Sequence, residues 1–122
     1  MRRVLWLCAV AALPAQAMWV TLTRNEAATV YIDSAAIVKV GALRRVWLVY
    51  DLREVDASGQ RSVKSQVEYD CGESTYRTLS ASTHGAPMGQ GPVLKAMPPG
   101  SSAKPVTQDA LSRQVYAFAC AW

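Results

Sequence analysis

One histidine, three cysteines and one phenylalanine are spread over 122 residues, and each scarcity removes a class of function. His84 is the only imidazole, so a hydrolytic triad has one candidate base and a zinc site lacks its usual set of nitrogen and sulfur donors. Its setting, Ser82-Thr83-His84-Gly85-Ala86-Pro87, reads as a solvated turn at a strand end. Apolar runs are short after the first, and that one, Val4 to Leu13, is about half of the ~20 residues a membrane helix needs. Basic runs are missing too. Arg44-Arg45 is only a pair, so neither a nucleic-acid groove nor an anionic membrane is an expected partner. The length leaves room for one domain.

What is present begins with a leader. Arg2-Arg3, the apolar run, Pro14 and then Ala15-Gln16-Ala17 have the order of a secretory signal peptide. Cleavage after Ala17 would leave residues 18–122 as a single exported domain starting at Met18. Cys8 follows Leu7 inside the apolar run and not small residues at its end, so lipid attachment is not expected. The chain carries a formal charge of +4, which falls to +2 without Arg2 and Arg3. In an oxidising compartment the two remaining thiols, Cys71 and Cys120, are expected to pair. The chain-entropy model assigns a bridge of that span about 4 kcal/mol.

Val63-Lys64-Ser65-Gln66-Val67-Glu68-Tyr69-Asp70-Cys71 alternates, predicting a strand with one wet face and with Val63, Val67, Tyr69 and Cys71 on the core side. Leu43 to Leu52 is apolar on both faces and predicts a central strand. Asp56-Ala57-Ser58-Gly59-Gln60 would join the two as an antiparallel hairpin. A second hairpin is expected from Trp19–Thr23 and Thr29–Ile32 around Arg24-Asn25-Glu26. Ile37–Val40 and Thr75–Ser82 complete a meander of about six strands. From Gly85 to Pro105 the pattern dissolves into Gly, Pro, Ser and Met, and a loop crossing the sheet is expected.

Thr107 then offers an N-cap and Asp109 a favourable first-turn charge for a C-terminal helix. Leu111, Val115, Phe118 and Trp122 form one helical stripe, while Cys120 lies about 180° from Leu111 on the same wheel. Two packings remain open. Either the stripe faces the sheet and the helix ends before Cys120, or Cys120 docks and the stripe meets something else, such as a second copy in a homodimer. The period-2 spacing of Phe118, Cys120 and Trp122 slightly favours an extended tail.

Glu68 and Asp70 are the one carboxylate pair with a spacing, about 7 Å along a strand, that suits glycoside hydrolysis. Lys64 on the same face makes them read as ordinary solubilising charge. Met88-Gly89-Gln90-Gly91 lacks the helix and the Lys-Ser/Thr pair of a phosphate loop, so its glycines are expected to allow a tight turn or a close approach to the sheet. The tryptophans after the leader read as core or interface anchors. No catalytic residue, metal ligand or cofactor site is expected.

The ordered set Trp19, Tyr31-Ile32-Asp33-Ser34 with Ile37, Val46-Trp47, Glu68-Tyr69-Asp70-Cys71, Gly89-Gln90-Gly91, Pro99 to Ser101 and Cys120 resembles a surface-adhesin protein E-like domain across residues 18–122. The resemblance implies an α+β fold: a curved antiparallel sheet of about six strands with a C-terminal helix held on its concave side by a Cys71–Cys120 disulfide. That helix would face its stripe outward or stop short of its pattern. The resemblance also implies a non-enzymatic binding protein, periplasmic, secreted or displayed at the cell surface, with host extracellular-matrix proteins as partners. The alternative is a periplasmic inhibitor of a hydrolase such as lysozyme, for which the Gly85–Pro105 segment has the length but no acidic residue.

Overall fold

Alternation from residue 63 onward produces the strand it predicts, and the rest of the sheet is built outward from it. Residues 16–100 and 102–121 are described in this computed structural model. The expected leader up to residue 15, Cys8 included, lies outside them, as do Ser101 and Trp122. The elements are β1 (Trp19–Arg24), β2 (Ala28–Asp33), β3 (Val38–Val40), β4 (Leu43–Leu52), β5 (Ser62–Asp70), β6 (Thr75–His84), β7 (Val93–Met97), β8 (Lys104–Pro105) and α1 (Ala110–Cys120). Eight strands form one antiparallel sheet in the order β1-β2-β4-β5-β6-β7, with β3 pairing β4 and β8 pairing β6 at the ends. With its one C-terminal helix the fold is α+β.

Both expected hairpins form. Asn25 holds the first turn by accepting from the Ala27 and Ala28 amides at 2.8 and 2.9 Å. Asp56 holds the second by accepting from the Ser58 and Gln60 amides and the Ser58 hydroxyl. β4 is central, with Val46 and Leu48 buried on the helix side and Val49 buried on the other. The segment from Gly85 to Pro105 is not the bare loop its composition suggested. It makes a 3-10 turn at Pro87–Gly89, then β7 along the β6 edge, then β8. Every residue of β7 is exposed, so no hydrophobic alternation marks it.

Three bulges bend the ladder. Leu22 is the extra residue in β1, Leu79 in β6 and Leu94 in β7. The first turns Leu22 into the core and leaves its carbonyl to accept from Gln114 Nε2 of α1 at 3.1 Å.

The helix resolves the conflict on its wheel in a way neither expected packing allowed. α1 runs through Cys120, and its buried residues are Ser112, Val115 and Ala119, which occupy about 60° of arc. Leu111 and Phe118 lie on one flank of that arc, Tyr116 and Cys120 on the other. Leu111, Tyr116 and Phe118 all pack against the cluster of Ile32, Val46, Leu48, Val67, Tyr69, Val106, Val115 and Ala119. Leu111, Val115 and Phe118 therefore do not face outward and the helix does not end before Cys120, because side chains as small as Ser112 and Ala119 seat the helix close enough for both flanks to touch the sheet. Burial, with Tyr50 and Tyr76 nearby, pushes the Tyr69 phenol far above its ordinary range.

Cys71 and Cys120 are bridged, with Cα atoms 5.8 Å apart and 49 residues between them in sequence. Beside the bridge the Tyr116 hydroxyl donates to the Cys71 carbonyl at 2.9 Å. At the other end of α1 the cap is Asp109, two residues later than Thr107, which lies in a 3-10 turn. Asp109 accepts from the Ser112 amide at 2.7 Å and from its hydroxyl at 2.9 Å, and the Tyr76 hydroxyl reaches it at 3.3 Å. The Ser112 amide is the main reason its carboxyl is held below the ordinary range.

Two outcomes follow for residues 18–122. Replacing both cysteines (Cys71→Ser with Cys120→Ser) should cost up to about 4 kcal/mol in denaturant unfolding; an unchanged midpoint would contradict the bridge. Asp109→Ala should cost about 1 kcal/mol at neutral pH. A depressed folded-state carboxyl stabilises above its unfolded value and loses that contribution as pH falls through the folded one. The difference between wild type and variant should therefore be full at pH 7 and shrink only below about pH 4; a difference already lost at pH 6 would contradict the cap.

Candidate binding face

α1 occupies one side of the sheet, so functional side chains have the other side to work from. Register assembles that side. Val38, Arg45, Glu68 and Arg77 are successive cross-strand partners on β3, β4, β5 and β6. Trp47, Gln66 and Ser80 form the next row, and Tyr31, Val49, Lys64 and Ser82 another.

Glu68 lies at the centre of the first row. Arg45 Nε donates to its Oε2 at 2.9 Å and Arg77 Nη2 to its Oε1 at 3.2 Å. The carboxylate side chain is 11% exposed, while the two arginines are 50% and 45% exposed. Solvent screening on the arginine side limits each pair to roughly 0.2–1 kcal/mol, so the row orients two guanidinium groups more than it stabilises the fold. Asp70, its neighbour on the same face, accepts from the Gly72 and Glu73 amides at 3.0 and 3.1 Å and closes the turn after Cys71. Glu68 is thus a brace and Asp70 a turn cap. Leu43, Thr75, Tyr76 and Ala103 join Glu68, Asp70 and Arg77 around a cleft of about 300 Å3.

The Pro87–Gly89 turn folds back over the far end of this side. Ser62, fully buried there, donates to the Ala86 carbonyl at 2.7 Å and accepts from the Gly89 amide at 2.8 Å. The Met88 amide donates to Asp51. Ser62, one residue before the expected strand start, is therefore covered, and Lys64, expected to be wet, is half-covered. Gly89 rests on the Lys64 stem with φ +68°, and a Cβ there would come within 3.1 and 3.2 Å of Lys64 Cδ and Cβ. That is the close approach expected of the glycine pair. Lys64 in turn holds its ammonium 5.0 Å from the Trp47 ring, a contact of roughly 0.5–1 kcal/mol.

His84 is buried, not solvated, which corrects the turn reading. Its Nε2 lies 2.8 Å from the Ser82 hydroxyl and its Nδ1 3.3 Å from the Gly91 carbonyl. The loop that returns over β6 covers it, and that packing is not visible from the Gly and Pro residues around it. Among the described residues no three His, Cys, Asp or Glu side chains cluster as a metal site, and no helix is long and apolar enough to cross a membrane.

The model of the family described as surface-adhesin protein E matches residues 19–121. The chain belongs to the surface-adhesin protein E family. Among solved structures, crystal form II of Haemophilus influenzae protein E superposes with a TM-score of 0.69 at 17% identity, covering 88% of this chain and 90% of that one. Protein E from non-typeable Haemophilus influenzae gives 0.61 at 18% identity, over 88% and 78%. These likenesses concern the fold. No curated protein sequence matches the chain.

Within this adhesin-family fold Gly89 should be hard to replace. Gly89→Ala puts a side chain into a positive-φ position against Lys64 and should destabilise by about 1–3 kcal/mol. Gly72→Ala, whose Cβ would meet Asp70 Oδ1 at 3.4 Å and Ala42 Cβ at 3.8 Å, should cost less. Equal losses in thermal unfolding would contradict the close approach.

Proposed function

We propose that this chain is an exported, non-enzymatic binding protein: residues 1–17 serve as a cleaved secretory leader, and residues 18–122 engage a protein partner through the sheet face opposite α1. The family assignment supports an adhesin-like role. The observation that carries the choice of face is the Arg45–Glu68–Arg77 row, where a nearly buried carboxylate holds two half-exposed guanidinium groups on the face that also carries Trp47 and Tyr31. Arginine, tryptophan and tyrosine are the residue types that concentrate binding energy at protein interfaces. Host extracellular-matrix proteins are the partner class that the resemblance suggests.

Binding of the purified domain to a panel of immobilised matrix proteins tests this reading. At least one should be retained, and Arg45→Glu with Arg77→Glu should weaken it more than tenfold, a loss above about 1.4 kcal/mol, while Lys95→Glu on β7 leaves it unchanged. Stoichiometric inhibition of lysozyme with no matrix binding would replace this reading with the inhibitor one.

A further inference from the structure

The buried carboxylate at the start of the fold lies against the nitrogen where the expected leader would be cut. Asp33, at the end of β2, is only 7% exposed. Its Oδ1 accepts from the Met18 nitrogen at 2.9 Å and from the Ala35 amide at 3.0 Å. Met18 is held from its other side as well, its carbonyl accepting from the Ser34 amide at 2.9 Å and the Ser34 hydroxyl at 3.1 Å. Trp19, the next residue, is paired with Asp33 in the β1–β2 ladder. These contacts fix the Met18 nitrogen against the carboxylate with no slack in the chain, while Gln16, Ala17 and the Met18 side chain are exposed.

We infer that Asp33 is a receptor for the new N-terminus, pairing with the Met18 ammonium that leader removal creates. The inference rests on the leader reading above. Hydrolysis of the Ala17–Met18 amide adds water across the bond. The hydroxyl goes to the Ala17 carbonyl carbon and the hydrogen to the Met18 nitrogen, and the nitrogen then takes up the proton that the new carboxyl releases. A neutral amide donor becomes a cation with three N–H groups at the same place. An α-amino group is charged at neutral pH, and a charge-assisted hydrogen bond is roughly twice as strong as a neutral one. Cleavage therefore strengthens a contact that the β1–β2 register already makes. A cut one residue early would leave an amide on Asp33 and an unpaired ammonium in solvent.

Chains of defined start separate the pairing from the processing. Proteins beginning at Met18 and at Ala17, each with and without Asp33→Asn, are compared by thermal unfolding at neutral pH with the disulfide formed. The Met18 chain should melt above the Ala17 chain by about 4 °C, the shift for about 1 kcal/mol in a domain of this size, and Asp33→Asn should abolish the gap. Should Asp33→Asn fail to fold, acetylating the Met18 amine provides the second arm and should remove the same advantage. Equal melting, or an advantage that survives acetylation, overturns the pairing. Intact mass of the exported protein should begin at Met18; another start overturns the processing step and leaves the pairing to be judged on the defined chains alone.

Discussion

Everything on the sheet is arranged by how closely α1 can approach it. Ser112, Val115 and Ala119 form the contact, and two of the three are among the smallest side chains available. With nothing bulky between helix and strands, Leu111 and Phe118 reach the core on one flank while Tyr116 and Cys120 reach β5 and its turn on the other. The disulfide and the Asp109 cap then fix the two ends of a helix of only 11 residues, too short to persist alone in water.

That seating sets the division of labour between the two sides of the sheet. The helix side takes Ile32 of β2, Val46 and Leu48 of β4, and Val67 and Tyr69 of β5. The opposite side keeps its polar rows, so long aromatic and charged side chains can lie across several strands without burying an uncompensated charge. Glu68 illustrates the balance: its carboxylate is nearly buried yet satisfied by two arginines that remain half in solvent. The Pro87–Gly89 turn closes one end of this side and leaves the Arg45–Glu68–Arg77 row uncovered.

Strands with local signals were legible in the sequence. Alternation located β5, a doubly apolar run located β4, and turn residues located both hairpins. β7 was missed because Val93-Leu94-Lys95-Ala96-Met97 buries nothing and so carries no pattern. The burial of His84 was missed because its cover comes from a loop several residues further on, through the contact to the Gly91 carbonyl. The helix face was misjudged for a different reason: hydrophobicity ranks Leu111 and Phe118 above Ser112 and Ala119, whereas close packing is decided by size, and a buried serine is tolerated once Asp109 satisfies its hydroxyl. The proposed binding face was invisible because Arg45, Glu68 and Arg77 become neighbours only through strand register.

Val115 belongs to this chain's own core and not to a surface between copies. Isotope-filtered NMR on a mixture of labelled and unlabelled residues 18–122 tests it directly. The Val115 methyl groups should show cross-peaks to core side chains such as Val67 and Tyr69 within one molecule, at every concentration. Val115 cross-peaks that appear only between labelled and unlabelled molecules would contradict it.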